Sequence, residues 1–462
     1  MKKTHSLAGA AFTLRLRCFG VSLLSTLVVI SAASSTSGQQ TATPPSTQLP
    51  DASVSPLLRD EAVRLALAQA STFRQAQLAE LIAAEDVRQA RIAFLPRVTM
   101  PFSITYNSST RGLTSSGTPS FINANAVTEY EALASVAGEI DVSGRLRASM
   151  QRSRALLEAA RAGTEVARRA LIQAVDEAYY GLAFATARRR SAELNLAAAQ
   201  EFERITDMLL NAGEVAEVDV VRASLQTITR RDEVEQARTA EVVAAYGLRV
   251  LIGYDLTTPL ATADLMIIAP DKSEIDRFMA TAISQRPELA QLDAELRAAE
   301  QEARAAHAER LPQFSYSISG GFDTDVLRAA PLREHTGVLA TVSVTIPVLD
   351  WGASRSREEQ ARLRSQTAES ERIVALRSFT QQFSAAQAQA LSAANRVQLL
   401  RSGVAGAERN VEASMARYRA GEASIIEVTD AQSTLVTVRT TLYQALFDYQ
   451  MARAHLAQAT GQ

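Results

Sequence analysis

Glu427 and Asp430 stand three residues apart in the heptad-patterned stretch after Gly421, so on a helix both carboxylates project from one face. Repeated around a narrow pore by copies of the chain, such a pair would make a strongly negative mouth that binds multivalent cations. Taken alone it is a solvated helix face. Other chemistry is sparse. His307, His335 and His455 lack ligand spacing and cysteine company, so no metal site is expected. No P-loop, dinucleotide fingerprint or G-x-S-x-G motif occurs, so neither a catalytic group nor a cofactor is expected. The function must therefore lie in the elements that carry these few groups.

The 462 residues are 21% charged, 47% hydrophobic and 5% aromatic, with 13 prolines and one cysteine. This composition excludes a disulfide scaffold, a disordered tail and a polytopic helical membrane protein. The first fifty residues hold four basic side chains and no acid, which leaves everything from Asp51 onward at −6 and gives no basis for nucleic-acid binding. Lys2, Lys3, Arg15 and Arg17 precede an apolar run from Phe19 to Ile30 with small residues after it, the layout of a secretory signal peptide over 1–33. The run is too short to span a bilayer. Cys18 follows Arg17 and precedes the apolar run, so it does not resemble a lipid-attachment cysteine. A leader of Ser, Thr, Gln and Pro over 34–50 is expected to be flexible.

The rest is a tandem duplication. Gly144, Gly213 and Gly253 recur at a fixed offset as Gly352, Gly421 and Gly461, and Ala212-Gly213-Glu214 matches Ala420-Gly421-Glu422. Leu95-Pro96 matches Leu311-Pro312 at a slightly longer offset, so the first copy carries extra residues between that pair and its first glycine, a place for a loop. The expected division is a first repeat over 51–255, a linker over 256–285 and a second repeat over 286–462.

In the second copy Leu376, Phe379, Phe383, Ala386, Ala390, Ala393, Val397, Leu400, Val404, Ala407, Val411, Ser414 and Tyr418 alternate spacings of three and four, a coiled-coil seam. The first copy repeats it from Leu171 to Leu210, interrupted by Arg189 and Glu203. Helices of about 100 Å follow from the absence of proline at 1.5 Å rise per residue, ended by Gly213 and Gly421 and followed by shorter antiparallel helices. A further helix is predicted before each Leu-Pro pair, over Asp60 to Phe94 and over Pro287 to Arg310.

Between the Leu-Pro pair and the next glycine the period becomes two. The alternation seen over Val98 to Tyr106, Tyr130 to Val142, Phe314 to Ile318 and Val338 to Val348 predicts four strands of about ten residues or more, in hairpins over 97–143 and 313–348, apolar on one face and small or polar on the other. The segments Arg111 to Thr128 and Gly320 to Glu334 are expected as their loops. Such strands in an exported chain form either a half-buried soluble sheet or the wall of an outer-membrane barrel. In the second case four strands cannot close a barrel, because open edges in lipid leave backbone groups unsatisfied, so copies of the chain must share one.

These features, with Arg286-Pro287-Glu288-Leu289, Arg310-Leu311-Pro312, Ile346-Pro347-Val348-Leu349-Asp350-Trp351-Gly352, Glu139-Ile140-Asp141-Val142-Ser143-Gly144-Arg145 and Arg417-Tyr418-Arg419-Ala420-Gly421-Glu422, resemble the TolC family of outer-membrane efflux proteins from about Asp51 to Gly461. The resemblance implies an α+β membrane protein: internally duplicated long-helix hairpins in a trimeric α-barrel across the periplasm, and four strands per chain in a shared 12-stranded transmembrane β-barrel. It implies no enzyme but a passive exit duct in the outer membrane. Its partners would be a periplasmic adaptor, an inner-membrane transporter and outer-membrane lipid.

By the same resemblance Glu427 and Asp430 ring the periplasmic entrance, Tyr418 and Asp219 are gate residues, and Gly213 and Gly421 mark the adaptor-docking tips. The arginine that such gates use is here Ala423, and Tyr418 is equally placed to be the last core residue of its seam. Trp351, at a strand-to-helix junction, suits either an interfacial anchor or ordinary packing. An exported coiled-coil adaptor or structural protein is the alternative; it would lack the duplicated order of helix, hairpin and helix.

Overall fold

The computed structural model describes residues 56–108, 128–278, 280–327 and 335–461. The signal peptide, the leader and the loop segments 109–127 and 328–334 lie outside the described residues. In chain order the elements are α1 (Arg59–Ala68), α2 (Thr72–Ile92), β1 (Arg97–Thr99), β2 (Phe102–Tyr106), β3 (Thr128–Ile140), α3 (Arg145–Asn211), α4 (Glu217–Ile252), α5 (Lys272–Asp276), α6 (Pro287–Ala308), β4 (Gln313–Thr324), β5 (Thr336–Thr345), α7 (Ala353–Arg419) and α8 (Ile425–Ala459).

The two long helices have 67 residues each. Each begins at a left-handed glycine, Gly144 at φ 82° and Gly352 at φ 87°, and an aspartate just before it takes up the orphan amides of the first turn. Asp141 accepts from the amides of Leu146 (2.9 Å) and Arg147 (3.0 Å), and Asp350 from those of Gly352 (3.1 Å) and Ser354 (2.7 Å). The second turn is one residue shorter between aspartate and glycine. There Trp351 adopts φ 54°, the one left-handed non-glycine among the described residues. From Phe379 to Tyr418 every predicted seam position of α7 is buried or half-buried. In α3 the seam runs through its expected interruption, since the half-buried Arg189 bridges Glu193 (2.8 Å) and Glu241.

The strands form one antiparallel sheet with β3 pairing both β1 and β2, then β4, then β5. Its register places Val98, Val136, Ile318 and Ala340 in one row and Ile140, Phe314 and Val344 in another, so even-numbered apolar residues share a face. Odd-numbered residues such as Ser135, Ser319 and Ser343 share the other. Much of the apolar face has no cover among the described residues, with Val98 71% and Val338 79% exposed. No described helix is long and apolar enough to cross a membrane.

Several predicted boundaries move, β5 ending at Thr345 rather than Val348 and β3 spanning Thr128–Ile140 among them. The helix expected from Asp60 to Phe94 breaks at Gln69–Ser71, where the backbone turns extended; the Gln69 side chain lies over Gly253, whose φ of 75° favours glycine. The first strand is interrupted at Met100 and Pro101, whose missing amide cannot join the ladder. Conversely, the loop expected from Gly320 is strand as far as Thr324, because Gly321 lets β4 lie against the Ala132 carbonyl where a side chain would collide.

Packing sets the order of the helices. Towards the tips α4 packs on α3, α3 on α8 and α8 on α7; nearer the sheet α2 packs on α3, α3 on α6 and α6 on α7. One core joins Phe383, Ala390, Val397, Leu442, Leu446 and Tyr449 to Leu265, Ile275 and Ile283 of the segment between the repeats. A second gathers Leu57, Ala62 and Ala66 around Val175, Tyr179 and Leu248.

Candidate functional site

The two hairpin ends, Gly213 and Gly421, are built alike. Gly213 (φ 79°) donates its amide to Leu210 O at 2.8 Å, and Glu214 to Leu209 O at 2.9 Å. Gly421 (φ 74°) donates to Tyr418 O at 3.0 Å, and Glu422 to Arg417 O at 2.9 Å. These paired bonds close each long helix with a left-handed residue that glycine supplies without strain. Between the two ends lies an open cavity of about 580 Å³ lined by Leu209, Gly213, Asp219, Tyr418, Gly421 and Ile425, among others.

Four of the six predicted site residues thus meet at one cavity. Tyr418 is buried. Its ring lies 5.3 Å from that of Phe202, and its hydroxyl donates to Thr206 Oγ1 at 3.4 Å. With Phe202, Ile205, Ala223, Ile425 and Val428 it forms a core that draws on all four tip helices. Each large apolar member contributes about 1.5–3 kcal/mol relative to exposure. Asp219 makes no bond to Tyr418 but pairs at 3.8 Å with Arg222, one turn further along α4. Half-buried Ala423 packs against the same core where an arginine was expected to act.

Glu427 and Asp430 lie in the first turns of α8, outside this cavity. Glu427 is ion-paired with Arg417, which also reaches Glu422 O at 3.4 Å and so clasps the turn around Gly421. Asp430 is exposed and makes no ion pair among the described residues. Among the described residues no group of His, Cys, Asp and Glu could hold a metal ion.

Sequence reasoning missed two arginines that fix the upper helices. Arg59 holds buried Asp176 through two bonds of 2.7 Å. Arg286 is 4% exposed, lies 4.0 Å from the Phe379 ring centre and donates to Glu288 (3.0 and 3.2 Å) and Gln382 (3.1 Å). The Arg-Pro-Glu motif was the available signal for Arg286; Arg59 and Asp176, 117 residues apart, left none.

The family model described as outer membrane efflux protein matches residues 62–254 and 279–462. The chain belongs to the outer membrane efflux protein family. That membership places it in the outer membrane, reaching into the periplasm. It is 25% identical over 271 residues to outer membrane efflux protein BepC of Brucella suis, covering 58% of each chain; the match thus spans less than two thirds of that relative. It is 24% identical over 405 residues to the pyoverdine export outer membrane protein OpmQ of Pseudomonas putida, covering 85% of this chain and 79% of the other. In fold it is similar to the outer-membrane channel OprN, with a TM-score of 0.76 at 22% identity over 87% of this chain and 89% of the other. The Campylobacter jejuni CmeC outer membrane channel gives 0.77 at 18% identity over 87% and 85%. This outer membrane efflux protein therefore has the fold of long-helix channels with a small sheet.

Proposed function

We propose that the chain is the passive exit duct of a tripartite export system, assembled as a trimer whose four-stranded sheets close a twelve-stranded barrel. The observation that carries this reading is the sheet, with one face apolar and largely exposed, the other rich in serine and threonine, and both edges without a further strand among the described residues. Lipid suits the first face and water the second. Every layer ends in two unlike elements, one from each repeat: β1/β2 and β5 in the sheet, α2 and α7 below it, α4 and α7 at the tips. Unlike edges join head to tail, and a closed ring of copies leaves none of them bare.

In this reading the tips at Gly213 and Gly421 receive the periplasmic adaptor, and an inner-membrane transporter supplies the cargo. Asp430 carries more of the free negative charge at the entrance than Glu427, which Arg417 partly neutralises. The test is single-channel conductance of membrane-extracted protein in a planar bilayer, with a trivalent cation added to each side in turn. A small cation-selective conductance is expected, blocked from one side only and unblocked by Glu427→Ala with Asp430→Ala. Absence of a channel from a folded oligomer would overturn the duct; equal block of the variant would discard the acidic entrance alone.

A further inference from the structure

Just beneath the sheet, an open cavity of about 640 Å³ lies between the start of α3 and the end of α6. Ser143, Gly144, Arg147, Gln151, Arg304 and His307 line it, and no aspartate or glutamate does. Such a lining offers positive charge and hydrogen-bond donors to an anion. Only part of that charge is taken up within the chain. Arg147, its side chain 70% exposed, meets Asp141 at 3.2 Å, and that carboxylate is already shared with the amides of Leu146 and Arg147. His307 meets Glu358 at 3.0 Å, where Arg310 supplies the counter-charge at 2.6 Å. Arg304 is exposed and makes no ion pair among the described residues.

The surroundings say which way the cavity opens and at what height. Gln151, Glu158, Glu165 and Ile172 recur every seven residues along α3, with Arg147 four before the row and Asp176 four after it, so all share one face. At its far end that face is covered by α1, through the Arg59–Asp176 pair, and by Phe278 just after α5. In a ring these short elements belong outside, because the lumen must stay open; the Arg147 end of the face is then outer as well. α6 agrees, since Arg297, one heptad before Arg304, pairs with Glu158 at 2.7 Å. α3 and α6 are also the two inner helices of their layer, so neighbouring copies join elsewhere. Above the cavity, Ile140 and Val142, 50% and 65% exposed, carry the apolar face of β3 down to Ser143.

We infer that this cavity seats the phosphate of an anionic phospholipid from the periplasmic leaflet of the outer membrane, with the acyl chains running up along Val142 and Ile140. The inference rests on the duct proposed above, which sets the sheet in lipid. Arg147 and Arg304 donate to the phosphate oxygens from the two sides of the groove, in charge-assisted bonds that the guanidinium fork suits. Basic pockets between helices at the inner boundary of a membrane hold anionic headgroups in this way.

The test titrates the detergent-extracted oligomer with phosphatidylglycerol, phosphatidylcholine or inorganic phosphate and reads bound molecules by native mass spectrometry. Phosphatidylglycerol is expected to bind ahead of the other two, one per protomer. Arg147→Gln with Arg304→Gln should weaken it about thirtyfold, and Arg154→Gln, which removes an exposed charge two turns lower on α3, should leave it unchanged. Arg304→Gln alone, which breaks no ion pair, serves should the double variant not assemble, with a loss of about fivefold. Equal affinity for the two lipids, or an equal loss in Arg154→Gln, would overturn the inference. Inorganic phosphate binding as tightly as the lipid would overturn it too and make the cavity a site for free oxyanions. Any of these results leaves the duct standing if the wild type conducts; a wild type without conductance removes the duct, and the inference with it.

Discussion

The two halves of the chain share a backbone plan and differ in what their matching surfaces touch. Both long helices have 67 residues, both start at a left-handed glycine behind an aspartate, and both end in the same paired bonds at Gly213 and Gly421. Yet α8 lies between α3 and α7, whereas its counterpart α4 packs on α3 and leaves its far face open. The residues follow. Val218, Val221, Leu225 and Ile228 of α4 correspond to Ile426, Thr429, Ser433 and Val436 of α8. Duplication kept what the backbone requires and released each surface to fit its own neighbour.

The largest effect expected is on assembly. Leu225→Asp with Ile228→Asp should shift the protein towards smaller species on native gels or in light scattering, while Ser433→Asp on the matching helix should leave its size unchanged. Equal effects in both halves would erase the distinction.

Next is the anchoring of the upper helices, where the halves use different chemistry. Arg59→Met leaves Asp176 buried without its partner, at a cost of about 3 kcal/mol, the lower end for a buried pair because Arg59 itself is 40% exposed. Arg286→Met should cost less, about 1–3 kcal/mol, because Glu288 keeps contact with water. The order of the two thermal midpoints, followed by helical circular dichroism, is the check.

The glycine ends should respond alike. Gly213→Ala and Gly421→Ala each meet open space but demand a left-handed backbone, at about 1–2 kcal/mol apiece. A markedly unequal pair of midpoints would show that one tip is held by more than its turn.

The smallest effect is one of pH. The Ser354 hydroxyl, together with the amides of Ser354 and Gly352, holds the Asp350 carboxyl below the usual carboxylate range. A lowered pKa in the folded state means that its stabilisation is present above the ordinary carboxylate pKa and is lost as pH falls through the folded value. Asp350→Asn should therefore flatten the acid side of the stability profile of the second half, measured by thermal melting between neutral and acid pH.

What the sequence made legible was what repeats. The seam from Phe379 to Tyr418 and the alternation in the strands could be read because many residues carry one period, and an error at one position is outvoted by the rest. Single events could not be read that way. The break at Gln69, whose side chain lies over Gly253, follows no period, and the continuation of β4 through Gly321 depends on a strand from the other half. At the candidate site the glycine ends were legible from local sequence. The partners of Tyr418 and Glu427, Thr206 and Arg417, were not, because side-chain bonds across helices leave no periodic trace.

The short turn before α7 has a consequence for measurement. Dropping one residue between Asp350 and Gly352 forces Trp351 into a left-handed backbone, and its side chain emerges 91% exposed just beyond the end of β5. It is also the only tryptophan in the chain. The indole emission of this protein is thus the emission of a single ring at a single height along the axis. Its wavelength, and its quenching by brominated lipid, would show whether this end of the sheet lies in a bilayer, and at what depth, without any label.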